Sequence, residues 1–238
     1  MSALDGKRLV AAVRLDVQLQ ARSQLYGIGV AVAVMMGLFG RFLVGTEHAG
    51  LALPIFYLLG VGGTTFMFGA SMLLLEKSQG TLQALRVSPM SAREYLASKA
   101  LTLTSFAVVE SAIAFALIYG GQAIAPLKLL LGLLCLGFGY TCIGLGLACK
   151  HESVTSFLFP SAVLVSMVLQ LPFLGPLGVG SPALWWPIPS AGPLELMLAA
   201  FDPEASLVYG LAMSLAFVVG SGAFASLMFN KHIGLRRS

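Results

Sequence analysis

Few side chains in this sequence could perform chemistry, and most of these lie at the edges of apolar stretches. Glu110 is the one acidic residue deep within such a stretch. Its ionised form would cost about 3 kcal/mol on membrane-insertion scales, so the side chain should face protein or a water-filled cavity. Two interpretations stay open: a pathway contact for a cationic substrate or a proton, or a protonated acid hydrogen-bonded to a neighbouring helix. Two interpretations also stay open for Gln170, close to Pro172: it could line a substrate path, or it could hydrogen-bond backbone groups that lose their helical partners near the proline.

Other reactive residue types do not form a catalytic pattern. The sequence has no Gly-x-x-x-x-Gly-Lys-Ser/Thr loop, which would cradle the phosphates of ATP. The three histidines, His48, His151 and His232, lie at the edges of apolar runs, which disfavours a serine–histidine dyad or a zinc peptidase. The three cysteines recur every seven residues, as expected for packing on one helix face. We therefore expect no enzyme active site, no metal and no cofactor in this chain.

Composition identifies the elements that must position these residues. Of 238 residues, 58% are hydrophobic and 10% are charged, and the mean hydropathy is +0.90. A soluble domain would be about 25% charged. The net charge of +4 comes from basic residues dispersed around the apolar runs, which indicates membrane topology and no nucleic-acid partner.

A membrane-spanning helix needs about 20 apolar residues. Six stretches qualify, so we predict an all-α polytopic membrane protein with six transmembrane helices. They are Tyr26–Val44, Leu51–Leu75, Ala100–Gly121, Leu129–Cys149, a fifth beginning at Ser153, and Ala205–Asn230. With both termini in the cytoplasm, twelve of the 14 lysines and arginines lie inside, and only Arg41 and Lys128 lie outside.

Two further segments flank or interrupt the spans. Residues 1–25 are predicted to form an amphipathic connecting helix on the inner membrane surface, and residues 26–238 form the transmembrane domain. Prolines divide the apolar run after the fifth span, so residues 176–204 should form an extracellular re-entrant segment, with Pro193–Phe201 as one short helix. Trp185 and Trp186 suit headgroup-level anchors; a stacking platform for a drug is the alternative.

The longest cytoplasmic connection, residues 76–99, joins the second and third spans. Charge begins at Glu76, Gly80 offers a bend, and Thr81–Val87 can form a short helix. Leu82 and Leu85 would share one face of that helix. A short helix with one apolar face could dock to a cytoplasmic partner. Alternatively, it could lie on the lipid headgroups.

The same connection contains its own stop and start signals. Pro89 should terminate the short helix, since it pushes Ser88 away from helical angles. Ser91 and Glu94 then form a capping box that starts the helix feeding the third span.

The loop carries a family resemblance. The sequence Glu-Lys-x-x-Gly-Thr-Leu-x-x-Leu-x-x-Ser-Pro-x-Ser-x-x-Glu-Tyr-Leu-x-x-Lys, from Glu76 to Lys99, resembles type-2 ATP-binding-cassette export permeases of the bacterial multidrug and fluoroquinolone-export group. The resemblance implies a bacterial plasma-membrane location and a separate nucleotide-binding ATPase subunit that holds ATP and Mg. It also implies that Thr81–Val87 is the coupling helix and that two permeases pair as a homodimer or heterodimer, with substrate passing between them.

The resemblance also implies particular residue roles. The residues expected to contact or couple to the ATPase are Glu76, Gly80, Thr81, Leu82, Leu85, Arg86 and Pro89. Glu76 would join a polar cluster with the N-terminal helix, for which Arg14 or Arg22 are plausible partners.

The expected function is export of small lipophilic, drug-like compounds by the permease subunit of an ATP-driven exporter. A lipid or lipid-linked product fits the apolar spans almost as well. From different classes, a self-sufficient secondary transporter and a non-transporting scaffold remain alternatives. A secondary transporter would normally carry more intramembrane ionisable residues than Glu110.

Overall fold

A computed structural model describes residues 6–82, 90–119, 124–202, 205 and 207–234, apart from the side chains of residues 162, 164, 166 and 182. Within these ranges all regular secondary structure is helical, as predicted. The α-helices are α1 (Gly6–Arg22), α2 (Leu25–Phe39), α3 (Ala49–Phe56), α4 (Gly62–Ser78), α5 (Ala92–Ile118), α6 (Pro126–Ala148), α7 (Val154–Leu164), α8 (Pro182–Trp185), α9 (Ala191–Leu198) and α10 (Val208–His232). Short π-helical turns occupy Gly40–Val44, Tyr57–Val61 and Val165–Leu169, and 3₁₀ turns occupy Thr46–His48 and Leu171–Leu174.

Five helical segments of the described chain are long and apolar enough to cross a membrane. They are Leu25–Val44, Thr46–Ser78, Ala92–Ile118, Pro126–Ala148 and Val208–His232. The predicted fifth span is shorter: the 11 residues of α7 and the five of its π turn make 16. Pro160 lies inside α7, and the continuous helix ends at Leu169, shortly before Pro172. This segment is therefore shorter than the length expected of a membrane span.

Helix α6 lies at the centre of the bundle, packed against α4, α5, α9 and α10. Its glycines allow this close packing. A Cβ on Gly144 would lie 2.2 Å from the Phe66 carbonyl oxygen of α4, and one on Gly139 would lie 2.1 Å from the Phe217 ring of α10. Glycine is therefore required where neighbouring helices approach most closely. A Cβ on Gly220, by contrast, would meet nothing within 4 Å.

The capping box predicted at the start of the third span is confirmed. The Glu94 backbone N–H donates to Ser91 Oγ at 3.3 Å, and the Ser91 N–H donates to Glu94 Oε2 at 2.8 Å. This cap starts α5 at Ala92, eight residues before the predicted start of the span at Ala100. The first turns of α5 therefore extend one continuous helix out of the membrane-spanning segment.

Helix α1 packs against α5 through a face that is mostly polar. Ala12, Asp16 and Gln20 are buried at a spacing of four residues, while Val10 and Val17 are exposed. The exposed valines fit the predicted contact with lipid. The position of α1 on the membrane surface stays a prediction.

The segment between α7 and α10 consists of short helices, as its prolines predict. Its longest is α9, which begins two residues before the predicted Pro193 and ends at Leu198, where Phe201 was predicted. The α9 backbone is covered by protein, because Gly192 and Pro193 are buried and α9 packs on α6 and α10. This suits a helix whose surroundings lack water. Its depth in a membrane stays a prediction.

Candidate functional site

A cluster of buried charged and hydroxyl side chains, here the Lys99 cluster, comprises Asp16, Glu76, Tyr95, Ser98 and Lys99. Lys99 is fully buried, and its Nζ lies 2.8 Å from Asp16 Oδ1 and 2.6 Å from Glu76 Oε1. The Tyr95 hydroxyl donates to Glu76 Oε2 at 2.5 Å, and the Ser98 hydroxyl donates to Asp16 Oδ2. All four carboxylate oxygens therefore have a partner, which buried charges require.

Three helices contribute to the Lys99 cluster. Asp16 comes from α1 and Glu76 from the last turn of α4, while Tyr95, Ser98 and Lys99 lie three and four residues apart on one face of α5. The Lys99 ammonium also lies 4.7 Å from the centre of the Tyr95 ring, a cation–π contact. With two carboxylates and one ammonium, the cluster holds α1, the end of α4 and the start of α5 together.

A second polar contact extends this link towards α2. Gln20 of α1 is fully buried, and its Nε2 donates to Thr102 Oγ1 of α5 at 2.8 Å. The Tyr26 hydroxyl, in the first turn of α2, donates to Gln20 Oε1 at 2.8 Å. The N-terminal helix is thus fixed by buried polar groups over two turns.

The partner of Glu76 differs from the expected one. Arg14 and Arg22 are exposed on α1, and Lys99 pairs with Glu76 in their place. Arginines on the exposed side of α1 do not reach a carboxylate that is buried behind that helix. Two signals in the sequence could have found the cluster: the capping box places Lys99 two turns inside α5, and Asp16 falls on the α1 face shared by Ala12 and Gln20.

The predicted coupling segment is described as far as Leu82. Gly80 has a φ of +71°, so the predicted bend is present and favours glycine. Thr81 and Leu82 are helical. Leu82 is only 6% exposed and packs within the chain's own core, and its role in coupling stays a prediction. The remaining predicted coupling residues, Leu85, Arg86 and Pro89, lie outside the described residues.

Sequence reasoning missed Lys77 as a structural residue. Its Nζ donates to the backbone carbonyls of Cys149 and His151, each at 2.8 Å. Carbonyls at the end of a helix have no partner within it, so this lysine caps the carboxyl end of α6. It also lies 3.8 Å from Glu152, whose side chain is 91% exposed. The base of the coupling segment is thereby tied to the connection between α6 and α7.

Glu110 is fully buried in the middle of α5. The Thr64 hydroxyl of α4 lies 2.9 and 3.1 Å from the two carboxyl oxygens. This contact matches the interpretation in which a neighbouring helix hydrogen-bonds the acid. The pathway role of Glu110 stays a prediction.

The side chain of Gln170 hydrogen-bonds a backbone carbonyl at an irregular turn of a neighbouring helix. Its Nε2 donates at 3.0 Å to the Leu59 carbonyl, inside the π turn of the second span. Next to it, the Leu169 carbonyl accepts hydrogen bonds from the Tyr140 hydroxyl at 2.9 Å and the Ser190 hydroxyl at 2.5 Å. Side chains therefore replace the regular helical hydrogen bonds where the two π turns approach each other.

A cavity of about 350 Å³ opens between the starts of α2 and α7 and the last turns of α4. Leu25, Met72 and Val154 give it apolar walls, Ser71 and Ser78 supply hydroxyl groups, and Glu152 adds a carboxylate at its edge. Apolar walls with a few polar groups are typical of small-molecule sites. The cavity is one candidate in the described chain for a site that accepts a lipophilic compound.

Five apolar helices long enough to span a bilayer define the chain as a polytopic membrane protein. The chain belongs to the fluoroquinolones export permease protein family, whose model matches residues 7–237. This confirms the family predicted from the loop sequence. Relatives include fluoroquinolones export permease proteins from two strains of Mycobacterium tuberculosis, CDC 1551 / Oshkosh and ATCC 25618 / H37Rv. Each is 26% identical, over 95% of this chain and 96% of the relative.

Proposed function

We propose that this chain is the membrane-spanning subunit of an ATP-driven exporter of small lipophilic compounds, coupled to a separate ATPase subunit that binds ATP and Mg. The Lys99 cluster is the observation that carries this proposal. It joins α1, α4 and α5 at the base of the loop that would contact the ATPase. A force on the loop would therefore move three helices together.

The energy of the buried ion pairs supports this mechanical role. Removing one partner of a buried ion pair costs about 3–5 kcal/mol, because an uncompensated charge remains inside the protein. Glu76 and Asp16 therefore stay with Lys99 when the loop is displaced. The ATP-bound ATPase would bind one arrangement of the permease better than the other and so shift the population between inward-open and outward-open states.

The proposed topology has six spans with both termini in the cytoplasm of a bacterium, and the 16 residues of α7 and its π turn would form an unusually short fifth span. Two copies, or this chain and a related permease, would pair so that substrate passes between them. Large exposed apolar side chains support such a surface: Phe159 of α7 is 81% exposed and Met35 of α2 is 63% exposed.

The proposed substrates are small drug-like molecules, with fluoroquinolones as first candidates because the relatives are named for them. The 350 Å³ cavity has the volume of a small-molecule site. A lipid or lipid-linked product is the second candidate, since the cavity lies between helices that would face the bilayer.

Co-purification with the product of a neighbouring ATPase gene tests the coupling. The purified complex, in proteoliposomes, should hydrolyse ATP faster when a fluoroquinolone is added. Leu85→Asp, in the predicted coupling helix, should weaken ATPase binding without lowering thermal stability. Leu177→Asp, which changes a leucine that is 51% exposed between α7 and α8, serves as the matched control and should bind normally.

Two results would contradict the proposal. One is equal ATPase binding by wild type and Leu85→Asp. The other is export driven by a proton gradient with no ATPase present, which would identify a secondary transporter.

A further inference from the structure

A second, smaller cavity lies at the end of the bundle remote from the Lys99 cluster. It has a volume of about 150 Å³ and is lined by Pro172, Trp185, Trp186 and Glu195, among others. A hydrogen bond of 2.8 Å from the Ala125 N–H to the Ala200 carbonyl fixes the end of α9 beside the start of α6. Lys77 binds the opposite end of α6, so the two cavities belong to opposite ends of the bundle.

Glu195 is the one charged side chain in this cavity. It is half-buried, and burial raises its pKa above the ordinary value because the charged form loses hydration. Within the described ranges, no basic side chain lies within ion-pair distance of Glu195, and its carboxyl group accepts no hydrogen bond. Arg41 donates to the Leu117 carbonyl, so its charge is already engaged elsewhere.

The two tryptophans beside Glu195 are held in place by their own hydrogen bonds. Trp185 Nε1 donates to the Val179 carbonyl at 2.8 Å. The Tyr209 hydroxyl donates to the Trp186 carbonyl at 2.8 Å, and the Tyr209 ring lies 5.2 Å from the Trp186 ring. Indole rings and an unpaired carboxylate that line the same cavity offer both electrostatic attractions that an organic cation uses.

We propose that Glu195, Trp185 and Trp186 form a binding site for a small organic ammonium ion. Such an ion is weakly hydrated, so an aromatic wall compensates for its lost water. A metal such as Ca²⁺ would need six or more oxygen ligands, and one carboxylate beside indole rings does not supply them. Binding of an ammonium ion at this site would not depend on coupling to an ATPase.

The sequence provides its own reporter for this site. The chain has two tryptophans, and both line the cavity. Tetramethylammonium chloride, titrated into purified protein at constant ionic strength with NaCl, should change the tryptophan emission in a saturable way. Glu195→Gln keeps the shape of the side chain and removes its charge, so the dissociation constant should rise about tenfold or more. Glu47→Gln, at the same end of the bundle with its side chain 71% exposed, is the matched control and should bind like wild type.

The neutral compound tert-butanol, similar in size to tetramethylammonium, separates charge recognition from simple filling of the cavity. It should produce no saturable change in the tryptophan emission of the wild-type protein. The comparison of the two compounds uses the wild-type protein alone, so it does not depend on the folding of a variant. A linear response to tetramethylammonium, equal saturation by tert-butanol, or an unchanged dissociation constant in folded Glu195→Gln would each overturn the site.

Discussion

Replacing Lys99 by methionine would remove the only cation from the Lys99 cluster while nearly preserving the length of the side chain. Asp16 and Glu76 would then face each other as buried acids, 6% and 4% exposed. Each would retain one hydroxyl donor, Ser98 for Asp16 and Tyr95 for Glu76. Neither hydroxyl supplies the positive charge that makes two buried carboxylates tolerable.

The cost follows from what is left unpaired. Loss of one partner from a buried ion pair typically costs about 3–5 kcal/mol. Lys99 serves two carboxylates, at 2.6 and 2.8 Å, so the upper part of that range is expected. For a chain of this length, such a loss lowers the unfolding temperature by on the order of 10 °C.

Thermal unfolding of the purified protein in detergent measures this loss. Lys150→Met, which changes an exposed lysine just after α6, is the control and should shift the transition by less than about 1 °C. A triple variant, Asp16→Asn with Glu76→Gln and Lys99→Met, contains no buried charge in the cluster. It should recover most of the lost stability, because neutral polar or apolar replacements of a buried ion pair can be nearly neutral.

The triple variant also separates stability from coupling. If the cluster transmits movement from the loop, the triple variant should fold but export drug more slowly per ATP hydrolysed. Wild-type stability in Lys99→Met would refute the reasoning. So would a triple variant no more stable than Lys99→Met, since repulsion between the carboxylates would then not be the cause.

Three further predictions follow from single contacts. Gly144→Ala would push a methyl group into the α4 backbone and should cost about 1–3 kcal/mol in thermal unfolding, whereas Gly220→Ala should cost little. Glu110→Gln keeps a partner for Thr64 but removes the acid, so stability should change little while export of cationic substrates in vesicles falls. Lys77→Met leaves carbonyls at the end of α6 without their donor and should cost about 1.5–3 kcal/mol, measured by denaturant titration.

Each of these predictions has a clear contrary result. Equal stability of the two glycine variants would mean that the contact between α4 and α6 is not tight. Unchanged export by well-folded Glu110→Gln would remove the pathway role and leave only the hydrogen bond between helices. A Lys77→Met protein as stable as wild type would show that water replaces the lysine at the end of α6.

The membrane-spanning helices can be predicted from the sequence, because a helix that crosses the lipid bilayer needs a minimum number of consecutive apolar residues. Five of the predicted spans overlap helices of sufficient length in the structure. The fifth predicted span differs, since a charge-free run does not reveal where prolines stop a helix, and α7 with its π turn ends at Leu169. The start of α5 could be predicted from the sequence, because a capping box is formed by residues close together in the chain.

The Lys99 cluster was less accessible to sequence reasoning. Lys99 follows Arg93 and Glu94 in a charged stretch, so it reads as a cytoplasmic lysine that marks topology. Its burial depends on α1, which covers it from a distant part of the sequence. Likewise, the unpaired state of Glu195 is visible only once α9 is placed beside the two tryptophans. Contacts of this kind are set by packing between helices, which periodicity does not encode.

The order of the charges along the chain has a consequence for biosynthesis. Asp16 and Glu76 both precede Lys99, so each acidic partner has left the ribosome before the lysine does. Lys99 lies at the cytoplasmic end of the predicted third span, where burial beneath α1 makes its counter-ions necessary. Both acidic partners are already present when α5 begins to pack against α1 and α4, so loss of α1 should leave Lys99 with Glu76 as its one acidic partner in the cluster and should slow the packing of these helices during synthesis.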